Sequence, residues 1–235
     1  MASDILSYTL EGKLAIVRMD DGKANALSEP MIDALMNALS RAESEAAAMV
    51  LTGRPDRFCA GFDLRVMMSS PASAKALLIR GADLLMRLYG SKVPLVIACT
   101  GHALAGGALV LLTADARIGA EGAYRIGLNE VAIGMPVPVL AMELARDRLL
   151  PTELTRATLL AEIYDPRRAA SAGYLDSVVP ADKVLDAAKA EAERLAGLAR
   201  PAFEATKTRL RGRTIAHIRA SLEDDMQSLL SSPVA

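Results

Sequence analysis

Aromatic side chains make up only 3% of this chain, with no tryptophan, which removes the stacking platforms on which single-stranded nucleic acids are usually held. Histidine is limited to His102 and His217. Neither has a second His, Cys or carboxylate at ligand spacing, so no metal is expected. Two cysteines, Cys59 and Cys99, make no disulfide framework, and no signal peptide precedes the first strand-like segment; a cytoplasmic setting is expected. Charge is nearly balanced, 27 Lys plus Arg against 28 Asp plus Glu, so no whole-molecule field draws the protein to nucleic acid or to a membrane. The longest apolar run, around Ala103 to Ala114, is broken by Gly106 and Gly107 and falls short of the roughly 20 residues a spanning helix needs. A serine-hydrolase G-x-S-x-G elbow is missing. "GHALAGGALV" lacks the Lys-Ser/Thr pair of a phosphate-binding loop and is a poor dinucleotide fingerprint.

What the chain does have is apolar residues, 52% of 235, enough for one large domain or a domain with an appendage at roughly 150 residues each. "ILSYTLEGKLAIVRMD" reads as two alternating strands joined at Glu11-Gly12. A helix follows "DGKANALS", with Ser28 as N-cap, Pro30 in the first turn and Met31, Leu35, Leu39 and Ala42 at helical spacing. "AAAMVLTG" is a buried strand, after which "AKALLIRGADLLMRLYGS" reads as helix, "VPLVIACTG" as strand, "GGALVLLTA" as helix and "DARIGA" as a short strand. Such alternation implies an α/β core. From Val139 onward the spacing is almost wholly helical. Pro201 breaks that run, and one or two amphipathic helices end the chain. Residues 1–195 are assigned to a catalytic core and 196–235 to a helical C-terminal region expected to serve oligomerisation.

Two glycine-containing turns stand out, each read as lying between a strand and a helix: "RFCAGFDL", with Gly61 before Phe62, and "GHALAGGALVLL", with Gly106 and Gly107 opening a helix. Glycine admits close approach to the main chain, and a helix N-terminus offers unpaired N–H groups at a positive dipole end. Facing each other, two such turns would form an oxyanion hole, in which each aimed donor contributes about 3–4 kcal/mol. Plain packing explains either turn taken singly. The third signal is "YRIGLNEVAIGM", whose one carboxylate, Glu130, sits among Ile126, Leu128, Val131, Ala132 and Ile133. Burial disfavours the charged form of an acid, which makes Glu130 a candidate proton carrier. A solvent-facing position at a loop or helix start is the plainer alternative.

Together, "RFCAGFDL", "ALAGGALVLLTADARIGAEGAYRIGLNEVAIGM", "KANALS" and "RRAASAGYLDSVVP" resemble, in order, the motifs of the crotonase superfamily, the enoyl-CoA hydratase and isomerase family. That resemblance implies an α/β fold, a spiral of ββα units with a helical C-terminal region, assembled as a homotrimer or a dimer of trimers. It also implies an acyl-CoA thioester substrate whose coenzyme A is not a separate cofactor. The thioester oxygen would rest on the N–H groups of Phe62 and Gly106, and Glu130 would be catalytic. Hydratases of the family carry a second glutamate at the position of Leu109 here. Leucine cannot orient water, whereas moving a double bond needs only one acid. The segment "GGALVLLTADARI" with "YRIGLNE" and "LLMRLYGS" is most similar to Δ3-Δ2-enoyl-CoA isomerases, a function in fatty-acid β-oxidation; a hydratase or a non-catalytic acyl-CoA-binding homologue are the alternatives.

By the same resemblance Lys23, Ala24, Ala26 and Ala60 match coenzyme A contacts, a solvated loop lysine being the alternative for Lys23; Met67 and Met135, which repack readily around irregular shapes, are read with Leu109 as lining an acyl pocket, with core filling the competing role for the methionines. Lys207 and Arg211, four apart on a late helix, share one face. They are expected to meet coenzyme phosphates from a neighbouring subunit or else to form a solvated basic face. Asp63 is read as a helix cap, and His102 as a turn-packing residue.

Overall fold

The computed structural model of the protein describes residues 5–231; the ends of the two expected regions, 1–4 and 232–235, lie outside the described residues. Strands β1 (Leu6–Glu11) and β2 (Leu14–Met19) form the expected antiparallel hairpin. Helix α1 (Glu29–Glu45) begins where Ser28 accepts from the Met31 N–H at 3.4 Å, with Pro30 in the first turn, where its missing N–H has no intrahelical partner to lose. Its buried stripe is Met31, Ile32, Leu35, Ala38, Leu39 and Ala42.

Three similar units follow. The first runs β3 (Ala48–Thr52), β4 (Asp56–Cys59), a short α2 (Leu64–Met67) and α3 (Pro71–Tyr89); the second runs β5 (Leu95–Cys99), β6 (Gly101–Leu104) and α4 (Gly106–Thr113). The third opens with β7 (Ala116–Ala120) and β8 (Ile126–Gly127). The first strand of each unit joins one six-stranded sheet in the order β1-β2-β3-β5-β7-β9, and the second joins a three-stranded sheet in the order β4-β6-β8. All pairs after the hairpin are parallel. Each turn of the chain thus adds a strand to both sheets before a helix closes it.

Helices α5 (Val139–Arg148), α6 (Leu154–Thr158) and α7 (Pro166–Ala172) precede β9 (Ser177–Val179), then α8 (Val184–Ala196) and α9 (Arg200–Ser231). The main core lies between α1, α3, α4, α5 and the inner face of the large sheet, and a second apolar cluster joins α8 to its other face. The strands β4, β6, β8 and β9 depart from the sequence expectation: they are four, four, two and three residues long, too short to display alternation of their own. The helical run does divide at Pro201: α8 ends at Ala196, and Pro201 stands in the first turn of α9, one helix of 32 residues.

Helix α9 packs on α3 and α5 of its own chain, and this corrects the reading of Lys207 and Arg211. Both are buried, at 6% and 4% exposure. Lys207 Nζ donates to Asp115 Oδ2 at 2.7 Å and to Ser91 Oγ at 2.8 Å. Arg211 meets Asp115 Oδ1 at 3.0 Å and also donates to the carbonyls of Tyr89, Thr113 and Ala114, which lie at the C-terminal ends of α3 and α4. Both cations are committed to partners inside the fold, so they do not form a solvated face.

Candidate active site

The small sheet builds the site. Its three parallel strands end side by side: β4 leads to Gly61 and Phe62, β6 to Ala105 and Gly106, and β8 to Glu130 three residues on. Ligands of parallel α/β sheets gather at the carboxyl ends of strands, because loops and helix N-termini converge there. The register fixes the arrangement: Cys59 pairs with Ala103, Ala103 with Ile126 and Leu104 with Gly127, and the Ala105 N–H continues the ladder to the Gly127 carbonyl at 3.0 Å.

The two glycine turns meet. Gly61 has φ +95°, and a Cβ added there would stand 3.1 Å from the Gly106 nitrogen. At Gly107 the closeness is greater, since a Cβ would fall 2.0 Å from the Cys59 carbonyl oxygen; only glycine lets the first turn of α4 lie against the end of β4. Ala105, ahead of that helix, has φ 48° and ψ −122°, a conformation costly for a residue with a Cβ. Sequence reading passed over Ala105, because strain of this kind leaves no mark in residue type. Among the described residues, neither the Phe62 nor the Gly106 N–H donates to a backbone carbonyl.

Glu130 is 7% exposed. The polarity around it is inverted: the acid faces inward with Leu128, while Val131 and Ile133 are 41% and 47% exposed. Burial pushes its carboxyl above the usual carboxylate range, partly offset by its own N–H and that of Asn129, and among the described residues its Oε2 has no hydrogen-bond partner. A tight turn holds the residue, with the Met135 N–H donating to the Glu130 carbonyl at 2.9 Å and Gly134 at φ 79°. Leu109, one turn into α4, is buried in the main core, and Met67, only partly covered, packs against that core. Met135 is half-buried.

A groove of about 760 Å³ is lined by Lys23, Ala24, Ala26, Ala60, Phe62 and neighbouring residues. Its walls are tied together by Ala60 N–H to Ala24 O at 3.0 Å and Leu27 N–H to Gly61 O at 2.8 Å. Asp21, also in its lining, accepts from the N–H groups of Lys23 and Asn25. The buried Asn25 donates to the carbonyls of Met19, Arg57 and Phe58, so this loop is built in advance rather than formed by a ligand. The four residues matched to coenzyme A contacts therefore share one surface ending at Phe62. Lys207 is elsewhere, on α9. Asp63 caps α2 by accepting from the Arg65 N–H at 2.9 Å. His102 accepts from the Arg125 N–H at 3.0 Å and lies edge-on to Tyr124, a packing role.

The carboxyl end of the small sheet thus gathers two glycine turns in contact, the loop carrying a buried acid of raised proton affinity, and a groove ending at Phe62. Residues 9–232 match the model of the enoyl-CoA hydratase/isomerase family. An enoyl-CoA hydratase/isomerase family protein from Pseudomonas syringae superposes with a TM-score of 0.94 at 40% identity, over 97% of this chain and 100% of that one. Human mitochondrial enoyl-CoA delta isomerase 1 is 30% identical over 93% of this chain and 74% of its own. A putative enoyl-CoA hydratase of Thermus thermophilus is 33% identical over 84% and 80%. The chain belongs to the enoyl-CoA hydratase/isomerase family.

Proposed function

We propose that the protein shifts a double bond from C3 to C2 of an enoyl-CoA. The observation that carries this reading is the pairing of one buried carboxylate, Glu130, whose Oε2 has no hydrogen-bond partner among the described residues, with a buried leucine, Leu109, at the position where hydratases of the resemblance carry their second acid. The other carboxylate of the two turns, Asp63, is occupied in capping α2. In the proposed cycle Glu130 takes a proton from C2 of a 3-enoyl-CoA. The electrons of that C–H bond form C1=C2 as the thioester C=O electrons move onto its oxygen; when the carbonyl re-forms, the C1=C2 electrons become C2=C3 and those of C3=C4 take the proton back from the same acid at C4. During the transfer, enolate charge rests on the thioester oxygen held by the Phe62 and Gly106 amides. A raised proton affinity suits the acid to this work, since a general base acts best with its pKa near working pH. Lys23, Ala24, Ala26 and Ala60 would hold the coenzyme, with Met67, Leu109 and Met135 along the acyl chain.

The same reading includes assembly as a homotrimer or a pair of trimers, supported by exposed Leu150, Leu159 and Leu160 at 51%, 64% and 64%, and a reducing cytoplasmic setting, which suits the two free cysteines. The deciding test follows formation of conjugated enoyl thioester by absorbance from a medium-chain trans-3-enoyl-CoA, with crotonyl-CoA hydration run alongside. Conjugation that vanishes in Glu130→Gln, with little hydration, is the expected result. Clear hydration without conjugation would overturn the isomerase reading, and neither activity would favour a binding homologue.

A further inference from the structure

The described residues contain five buried side-chain atoms without a hydrogen-bond partner, and three of them belong to Asn129, Glu130 and Tyr174. Buried polar groups are normally paired, so orphans that gather need a reason. Tyr174 is fully buried, at 0% exposure. Its ring packs on that of Tyr164 at 5.7 Å between centroids. Tyr164 in turn bonds Ile126 through both of its backbone groups, each at 2.9 Å, four residues before Glu130. The main chain of Tyr174 is fixed as well, its N–H donating to Ala169 O at 2.9 Å. Its hydroxyl is thus delivered beside the segment that carries the acid, and the Glu130 charge and the Leu128 N–H both act on it.

The two orphans are complementary. A phenol has a proton to donate, and a carboxylate oxygen has only lone pairs to accept with. We propose that Tyr174 is a positioning residue for Glu130: its hydroxyl is the donor that holds the second carboxylate oxygen whenever the acid is charged, leaving the first oxygen to face the substrate. The inference rests on Glu130 being the proton carrier, as read above. Tyr174 is clamped by its packing, so the adjustment that closes the bond falls to the flexible Glu130 side chain. Burial holds the phenol proton far more tightly than usual, which makes Tyr174 a donor of a hydrogen bond and not a source of protons. The neighbouring Tyr164 hydroxyl has its own partner, donating to Glu153 at 3.1 Å, and the third orphan, Asn129 Oδ1, is an uncharged acceptor that competes less well than a carboxylate for the phenol proton.

The test is Tyr174→Phe, which keeps the ring and deletes only the hydroxyl, with Tyr164→Phe as a control that deletes a neighbouring hydroxyl bound to Glu153. Carboxyl-13C glutamate labelling, with the Glu130 resonance assigned by its loss in Glu130→Gln, follows ionisation of the acid without turnover. In Tyr174→Phe the Glu130 midpoint should rise by about one pH unit, a tenfold gain in proton affinity, because a donor to the charged form has been removed. Turnover at fixed pH below that midpoint should fall by a similar factor with KM little changed. The control should leave the midpoint in place. An unmoved midpoint in Tyr174→Phe overturns the proposal, whether or not thermal stability changes. A raised midpoint in a protein that shows no isomerisation would uphold the pairing and remove the isomerase reading instead.

Discussion

Two buried polar regions of this molecule are built on opposite principles. Around Asp115, which anchors α9, the polar groups are matched: its carboxylate takes the Leu95 N–H at 2.8 Å together with Lys207 and Arg211, and Arg211 also covers the carbonyl ends of two helices. Arg117 beside it is held by Asp176 and the Gly173 carbonyl. Arg148 is the exception, its Nη2 reaching Ala114 O while its Nε has no partner. At the carboxyl end of the small sheet the rule is reversed. There, among the described residues, Glu130, Asn129 and Tyr174 each keep an unpaired buried atom, the Phe62 and Gly106 amides donate to no backbone carbonyl, and Ala105 holds a strained backbone. Where polar groups are satisfied they secure the fold; where the scaffold leaves them unsatisfied, it keeps them for something else.

The largest effects should separate these regions cleanly. Glu130→Gln is expected to lower kcat by about 10²- to 10⁴-fold, the usual worth of a positioned acid-base group, while thermal unfolding occurs at the same or a higher temperature because a buried ionisable group has gone. A matching loss of stability would show that Glu130 is part of the scaffold. Asp115→Ala should do the converse. It strands two buried cations, and breaking a buried pair from one side costs about 3–5 kcal/mol. Urea unfolding should register that loss, and turnover per folded molecule should stay near that of the parent.

Much of the scaffold is legible in sequence, because it is written in local spacing. Ser28, Pro30 and the Met31, Leu35, Leu39 stripe announce α1, and the glycines of both turns announce close approach. The inward acid at 130 is suggested by its apolar company, although the direction of Val131 and Ile133 is not. The small sheet is illegible for a physical reason: β8 has two residues, and its existence depends on hydrogen bonds to β6, which lies more than twenty positions earlier. Lys207 and Arg211 teach the same lesson. Their spacing correctly puts them on one face, but what that face meets is Asp115, 92 positions earlier for Lys207. Tyr174 was passed over although a signal was present, a phenol in an apolar stretch directly after Gly173, whose polar tip needs a partner wherever it is buried.

A smaller effect tests whether strain belongs to the site. Ala105→Gly removes a Cβ from a backbone at φ 48°. Strain of this class costs about 1–3 kcal/mol, and glycine returns roughly 0.5–1 kcal/mol of that through its freer unfolded chain. A net gain in stability on the order of 1 kcal/mol is expected, together with a several-fold lower kcat, because the Gly106 amide would be less firmly aimed. Stability and kcat rising together would mean that the strain has no part in catalysis.

The smallest effect joins the two regions' logic in one titration. Burial raises the Glu130 carboxyl above its ordinary range, so across the window between the unfolded and the folded pKa the native protein binds the proton more tightly than the unfolded chain does. Its contribution to stability is therefore complete below the unfolded carboxylate range and is lost as pH rises through the raised folded value. Each tenfold in proton affinity corresponds to about 1.4 kcal/mol. Glu130→Gln has no such proton, so the stability difference between parent and variant, read from urea unfolding at a series of pH values, should fall through that window and then level off. Turnover should run the other way and rise through the same window, since a base must be charged to take a proton. Parallel stability curves with an activity limb at the ordinary carboxylate pKa would mean that the acid is solvated in the working enzyme. Opposed limbs at one midpoint would mean that the charge which costs the fold its stability is the charge that the reaction uses.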